Sequence, residues 1–151
     1  PTELTDETGA MIRERAGEYG ATTGRPRRCG WFDGVVARYT AEVNEFTSVA
    51  LTRLDVLDVL PRIKICTAYE LEGRLCERPP ARVDLFDKCR PVYEEVEGWL
   101  SATSDARRFE DLPRQAQAYV KRLEAIMGCR VSLVSVGARR EQTIMVDQIM
   151  G

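Results

Sequence analysis

Apolar residues near the start of the chain have the spacing of a short helix. Met11 and Ile12 give this segment a narrow apolar side. Thr5 is a candidate N-cap and Gly17 a candidate stop. The pattern predicts a helix over residues 5–16 that leads into a glycine-bounded loop.

A second helix is predicted from the pattern that follows this loop. Asp33 is its candidate N-cap, and the helix continues to about Asn44. Three apolar positions fall at i, i+3 and i+7 on one face: Val36, Tyr39 and Val43. We interpret Tyr39 as a core aromatic rather than a substrate contact.

The longest amphipathic pattern lies between Phe109 and Gly128 and predicts a third helix. Asp111 is its candidate N-cap, Pro113 fits its first turn, and Gly128 ends it. Its apolar face has helical spacing and consists of Ala116, Val120, Leu123 and Met127.

Apolar runs between these helices predict strands and an α/β fold, with the chain forming one domain or part of one. The runs are 48–54, 63–71, 91–96 and 131–137. The charged stretch 72–87 is predicted to be irregular, with a short extended piece at 83–86. Asp55 follows the first strand and is a candidate cap for a short helix ending near Pro61.

Composition narrows the chemistry. The 151 residues carry a net charge of −2, which disfavours a general nucleic-acid binder, and contain no histidine. The five cysteines match no metal-binding spacing and are expected to be free thiols, with Cys76 and Cys89 the one pair that could form a bridge. No apolar run is long enough for a membrane helix, so we expect a cytoplasmic protein with no membrane partner.

The loop of residues 19–33 has the composition of an anion site. It combines neighbouring threonine hydroxyls with Gly24, Arg25 and Arg27. Hydroxyls, exposed backbone N–H groups and arginine forks bind carboxylate and phosphate. A solvated basic turn is the alternative, but the flanking glycines and aromatic residues favour a ligand site.

Asp55 occupies the second candidate site. Ligands bind at the carboxyl ends of strands in open α/β sheets, and Asp55 lies at such an end. Its carboxylate can accept hydrogen bonds from the N1–H and the 2-amino group of guanine. Adenine lacks this pair of donors, so Asp55 is a candidate for selecting GTP over ATP.

The segment Ala21–Asp33 closely resembles the substrate loop of adenylosuccinate synthetases. Segments 1–4, 51–58, 63–66, 91–94, 98–99 and 135–137 agree with the same family in the same order. The resemblance covers essentially this whole chain but matches only roughly the last third of a family member. Two residues depart from the family pattern: Arg53 replaces lysine and Ala138 replaces proline.

The resemblance implies a set of binding residues. The implied aspartate loop consists of Ala21, Thr22, Thr23, Gly24, Arg25, Pro26 and Arg27. Arg25 is also the implied IMP contact, and Arg27 is implied to reach a nucleotide phosphate. The implied GTP-binding set is Arg27, Arg53, Leu54, Asp55, Ser135, Val136 and Gly137.

The resemblance also implies an activity. Family members ligate IMP and L-aspartate in the AMP branch of purine biosynthesis, with GTP as co-substrate and Mg²⁺, as cytoplasmic homodimers. Residues 1–151 are then expected to be the C-terminal, substrate- and guanine-binding portion of a mostly parallel-sheet, P-loop-NTPase-like fold. The phosphate loop, catalytic Asp and His, and most Mg²⁺ contacts are expected in a separate N-terminal part. We therefore expect no catalytic residue and no metal ligand in this chain, and no activity when it is isolated.

Two alternatives remain open at this point. A free-standing nucleotide- or aspartate-binding module, or pseudoenzyme, would bind without turnover. A nucleic-acid binder using Arg25, Arg27 and Arg28 would show steep salt dependence, and the acidic balance counts against it.

Overall fold

The computed structural model describes residues 1–146 and contains two compact units. Unit 1 comprises Pro1–Val36 and Lys64–Glu95, and unit 2 comprises Ala37–Ile63 and the chain from Val96 onwards. The helices are α1 (Glu7–Ala16), α2 (Gly34–Val43), α3 (Val83–Phe86) and α4 (Arg114–Met127). The strands are β1 (Phe32–Asp33), β2 (Ser48–Leu51), β3 (Arg62–Leu71), β4 (Arg74–Cys76), β5 (Arg90–Glu97), β6 (Arg130–Ser135) and β7 (Thr143–Met145).

Unit 1 is built on a four-stranded sheet centred on β3. Strand β1 is parallel to β3, β4 is antiparallel to it, and β5 also pairs with it. Glu72 and Gly73 join β3 to β4 with φ angles of +52° and +77°, the backbone of a tight hairpin turn. The core of this unit consists of Val35, Cys66, Tyr69 and Cys89.

Unit 2 contains a three-stranded sheet in the order β2-β6-β7. Strands β2 and β6 are parallel, with Leu51 opposite Val134, while β7 is antiparallel to β6. Within the described residues both sheets are mixed rather than mostly parallel, because β4 and β7 run antiparallel to their neighbours.

Asp6, rather than the predicted Thr5, caps α1. Its carboxylate accepts a hydrogen bond from the Gly9 N–H at 3.1 Å, which satisfies an otherwise unpaired donor of the first turn. The predicted stop is confirmed, since Gly17 has φ +67° and its N–H bonds to carbonyls of the last turn.

The predicted cap of α2 is confirmed, but two of the three residues on its predicted apolar face are exposed. The Asp33 carboxylate accepts from the N–H groups of Val35 and Val36, both at 3.2 Å. Val35 is fully buried in the core of unit 1, and Val36 is partly buried against it. Tyr39 is 41% exposed and Val43 61% exposed, so Tyr39 is not a core aromatic.

The buried face of α4 is as predicted, but the helix begins later in the chain than predicted. Its predicted apolar positions are all buried, and Gly128 ends the helix with φ +65°. Helix α4 begins only after Pro113, whereas Asp111 ends a preceding 3₁₀ turn. The Asp111 carboxylate there accepts from the N–H groups of Arg107 and Arg108 at 3.2 and 3.0 Å, which explains why it cannot cap α4.

Two further predictions concern the irregular stretch and the thiols. Residues 83–86 form the helical turn α3 rather than an extended piece. All five cysteines are free, as expected, so the bridge considered between Cys76 and Cys89 is not formed.

Within residues 1–146, no helix combines the length and apolarity that crossing a membrane requires. Residues 147–151 lie outside the described residues.

Candidate functional site

The threonine loop of unit 1 is closed by its own backbone. Tyr19 and Pro26 form an antiparallel bridge, and the Gly20 N–H donates to the Arg25 carbonyl at 2.8 Å. Gly24 has φ +64°, and its N–H donates to the Gly20 carbonyl at 2.9 Å. These bonds fold residues 20–25 into one turn, with Gly24 at the position that requires a left-handed backbone.

The side chains of this turn face water. Residues 21–28 are exposed, so the threonine hydroxyls and arginine forks are accessible to an anion. Within the turn, the Thr23 hydroxyl accepts from the Arg25 N–H at 3.4 Å. The loop therefore presents Thr22, Thr23 and Arg25 from a backbone that is already ordered.

Arg27 is held by two neighbours. Its guanidinium donates to the Glu18 carboxylate at 2.9 Å, and its carbonyl accepts from the Arg13 side chain at 2.7 Å. Both partners of the ion pair are well exposed, which limits its contribution to stability. An incoming carboxylate or phosphate can therefore compete with Glu18 for this guanidinium at small cost.

Arg28 forms an ion pair with Glu3, near the beginning of the chain. The two side chains hydrogen-bond at 2.6 Å, and this bond lowers the pKa of the Glu3 carboxyl below its ordinary value. Glu3 lies in a segment that bridges back to Gly30, and the Leu4 N–H bonds to the Cys29 carbonyl at 2.9 Å. The beginning of the chain thus fixes the far end of the loop.

In unit 2, the turn after β2 places Asp55 against Arg53. Arg53 has φ +59°, a left-handed backbone that is uncommon outside glycine. Its guanidinium donates to both oxygens of the Asp55 carboxylate, at 3.0 and 3.1 Å. Asp55 lies inside the 3₁₀ turn Leu54–Leu57 and makes no cap there, so the capping explanation of this residue is wrong.

The turn after β6 meets the turn after β2. The Ser135 hydroxyl accepts a hydrogen bond from the Arg53 N–H at 2.8 Å. The contact follows from the parallel register of β2 and β6, which brings their carboxyl ends to the same edge of the sheet. The two segments predicted to read a base, 53–55 and 135–137, are therefore adjacent.

This pair of turns offers complementary groups to a planar base. The Asp55 carboxylate accepts hydrogen bonds, the Arg53 fork donates them, and the Ser135 hydroxyl does both. The Asp55 side chain is only 18% exposed, so hydrogen bonds made to it are less screened by water than those in the threonine loop.

Sequence reasoning missed Gln142, which shapes the second turn. Gln142 is buried, and a Cβ added to Gly137 would lie only 2.1 Å from its side-chain oxygen. The Gln142 carbonyl accepts from the Val136 N–H at 2.8 Å. No local pattern marks this glutamine, because a hairpin that the sequence does not specify brings it over Gly137.

Three ionisable groups with raised pKa values lie in or against the core of unit 1. Burial, with a contribution from the charge of Asp33, raises the pKa of the Cys66 thiol to about 11. Burial, with contributions from Cys66 and then Asp33, raises the pKa of Tyr93 to about 12. The Tyr69 hydroxyl donates to Asp33 at 2.6 Å, and burial raises its pKa above the ordinary value. These three side chains are protonated at neutral pH, and their role is to pack in the core of unit 1.

Among residues 1–146, no cluster of three or more Cys, Asp or Glu side chains could hold a metal ion.

Comparison with known proteins identifies the family. The family model described as adenylosuccinate synthetase matches residues 1–144. The chain belongs to the adenylosuccinate synthetase family. It is 56% identical to the synthetase of Geotalea daltonii and 52% identical to that of Dehalococcoides mccartyi, over 97% and 95% of this chain respectively.

A solved adenylosuccinate synthetase has the same fold over this region. The structure of the fully ligated enzyme from Plasmodium falciparum superposes with a TM-score of 0.91 at 34% identity, over 97% of this chain and 35% of that one. The chain spans about 34% of the length of the two bacterial synthetases. The comparisons thus establish the family and an α/β fold with mixed sheets.

Proposed function

We propose that the protein carrying this chain is a GTP-dependent ligase that joins IMP and L-aspartate to form adenylosuccinate. Membership of the family supports this activity. One observation supports this function at the level of individual residues. The hydrogen bond from Arg53 to Ser135 joins the two turns that the family resemblance assigns to guanine. This enzyme belongs to the AMP branch of purine biosynthesis.

The chain's proposed role is recognition rather than chemistry. It is the C-terminal portion of a P-loop-NTPase-like enzyme, in which the phosphate loop and the catalytic Asp and His lie in the N-terminal part. The proposed aspartate loop is residues 21–27, with Thr22 and Thr23 offering hydroxyl and N–H groups to the aspartate carboxylates. Its closed backbone supports this role, because an ordered loop loses little conformational freedom on binding.

The two arginines of the loop have distinct proposed roles. Arg25 contacts aspartate and IMP, and its exposure leaves the guanidinium accessible to them. Arg27 contacts aspartate and a nucleotide phosphate after exchanging its bond with Glu18 for one with the ligand. Bidentate arginine bonds suit both carboxylate and phosphate.

Guanine recognition is proposed for Asp55, with the neighbouring turn closing over the base. The carboxylate accepts from N1–H and the 2-amino group, while Ser135, Val136 and Gly137 supply the second wall. Arg53 and Leu54 complete the set, with the Arg53 fork replacing the ammonium of the family lysine.

Mg²⁺ and the homodimer are proposed for the whole protein. The described residues offer no carboxylate cluster for a metal ion, so we assign this chain no step through Mg²⁺. We propose a cytoplasmic location, in keeping with the metabolic role.

The test compares the protein translated from the complete open reading frame with the isolated 151-residue chain. We expect the complete protein to form adenylosuccinate from IMP, aspartate, GTP and Mg²⁺, and the isolated chain to form none. Turnover by the isolated chain would contradict the proposed division of labour. Nucleotide binding by both proteins without turnover would instead establish a binding module or pseudoenzyme.

A further inference from the structure

The buried polar side chains of unit 2 form one connection. Three polar or charged residues are buried in the described part of the chain, namely Asp58, Thr103 and Gln142. They lie far apart in sequence. Thr103 belongs to residues 98–104, which we call the back segment, and Asp58 and Gln142 both hydrogen-bond to this segment. No buried side-chain nitrogen or oxygen within residues 1–146 lacks a hydrogen-bond partner.

Asp58 links the back segment to the Asp55 turn. Its N–H donates to the Asp55 carbonyl at 3.2 Å, so it closes the 3₁₀ turn that carries Asp55. Its carboxylate accepts from the Trp99 indole at 2.7 Å and from the N–H and hydroxyl of Thr103 at 2.8 and 2.9 Å. A buried carboxylate with this many donors fixes both segments to each other.

The first residue of the back segment, Gly98, also contacts the chain just after Asp58. The Gly98 N–H donates to the Pro61 carbonyl at 2.9 Å, and a Cβ on Gly98 would lie 1.7 Å from the Leu60 carbonyl oxygen. Only glycine permits this approach of two backbones. The segment is therefore held to residues 58–61 both by side chains and by its own main chain.

Gln142 links the back segment to the other guanine turn. Its amide group donates to the Ser104 carbonyl at 3.3 Å, and its side-chain oxygen accepts from the Arg139 N–H at 3.1 Å. Its own carbonyl accepts from Val136. Because its side chain occupies the space beside Gly137, any movement of Gln142 changes the shape of that turn.

We propose that the back segment is a positioning element that sets the spacing between the Asp55 turn and the Ser135–Gly137 turn. Asp58, Thr103 and Gln142 are its positioning residues, and they act on nucleotide affinity through the two turns without contacting the base. This proposal rests on the proposed function for its effect on GTP, but its structural core does not depend on that function.

The two guanine turns are joined directly where the Arg53 N–H donates to the Ser135 hydroxyl at 2.8 Å. The path through Asp58, Thr103, Ser104 and Gln142 adds a second connection between the same turns, buried at Thr103 and part-buried at Ser104. Buried polar groups are costly to leave unpaired, so this connection favours one arrangement over alternatives.

The test uses three variants of the complete protein. Thr103→Val removes the hydroxyl bonded to Asp58, Thr103→Ser keeps it, and Ile126→Val removes a methyl group from the core of the same unit as a stability control. Steady-state kinetics give KM for GTP and kcat, and hydrogen exchange reports on peptides covering 53–60 and 135–142. Thermal melts show whether Thr103→Val and Ile126→Val are comparably destabilised.

We expect Thr103→Val to raise KM for GTP about tenfold with kcat nearly unchanged. It should also speed exchange in both peptides, while Thr103→Ser resembles the wild type and Ile126→Val leaves KM unchanged. Faster exchange in only one peptide, or an equal rise in KM in Ile126→Val, would overturn the proposal. If Thr103→Val fails to fold, Trp99→Phe removes one donor to Asp58 and is judged by the same readouts.

The two proposals fail in different ways. A wild-type protein that does not use GTP would contradict the proposed function, while the exchange data would still decide the role of the back segment. Normal GTP use with uncoupled exchange would leave the function standing and remove the positioning role.

Discussion

The Arg53 guanidinium holds both oxygens of the Asp55 carboxylate, two residues away in the chain. The carboxylate proposed to read guanine is therefore paired with a guanidinium of its own turn. Each carboxylate oxygen has two lone pairs, so a guanine competes with the arginine fork for the lone pairs that the fork occupies. Recognition at this turn is thus an exchange of hydrogen bonds, and its net free energy depends on what Arg53 gives up.

We predict that Arg53→Lys lowers KM for GTP severalfold. An ammonium is a point charge and cannot hold both carboxylate oxygens in parallel bonds, so the guanine donors meet less competition. The measurement is KM for GTP in the complete protein, with KM for IMP as the internal control. A rise in the GTP value would mean that the fork itself contributes more to binding than it costs.

Asp55→Asn is expected to erode the preference for GTP over ATP. The substitution replaces a double acceptor with a group that has one acceptor and one donor, which costs on the order of 1–3 kcal/mol of discrimination. Asp84→Asn is the matched control, because Asp84 is also paired with an arginine, Arg82, at a site without a proposed ligand. Full retention of the GTP preference in Asp55→Asn would assign guanine reading to another group.

Arg27→Leu is predicted to raise KM for aspartate about tenfold or more, because a charged hydrogen bond to the substrate is lost. Arg28→Leu is the control: it removes the next arginine, which is also paired with a glutamate, Glu3, and carries no proposed contact. Equal effects of the two substitutions on KM would show that the loop acts through bulk charge rather than through Arg27.

Local patterns predicted the elements whose own residues determine them. The face of α4 follows from helical periodicity, and Gly17 and Gly128 mark the ends of helices because they adopt left-handed backbones there. Asp33 was identified as the cap of α2 for the same kind of reason. The adjacency of segments 53–55 and 135–137 also agrees with their prediction as turns at strand ends, given the parallel pairing of β2 and β6.

Tertiary contacts decided the features that sequence reasoning missed. The buried side of α2 depends on which residue meets Cys66 and Tyr69, and the helical pattern does not contain that information. Asp55 pairs with Arg53 in a turn where Arg53 has a positive φ, a conformation that its residue type does not signal. Glutamine is usually a surface residue. Gln142 shapes the second turn only because it contacts Ser104 and Gly137, which are not its neighbours in sequence.

The core of unit 1 makes stability sensitive to alkaline pH. Burial, with a contribution from the charge of Asp33, raises the pKa of Cys66 from its ordinary value of 9.0 to about 11. The unfolded chain therefore loses this proton near pH 9, whereas the folded chain keeps it until about pH 11. Stability from this group is fully present below pH 9 and is lost as the pH rises through that window.

We predict that the free energy of unfolding falls between pH 9 and 11, with Cys66 contributing on the order of 2 kcal/mol. Denaturant titrations of wild type and Cys66→Val across this range isolate the contribution, because the other groups that titrate there are common to both. Valine cannot ionise, so the free energy of unfolding of Cys66→Val should fall less between pH 9 and 11 than that of the wild type. The difference is the contribution of Cys66. Parallel curves for the two proteins would show that the thiol ionises equally easily in the folded and unfolded chains.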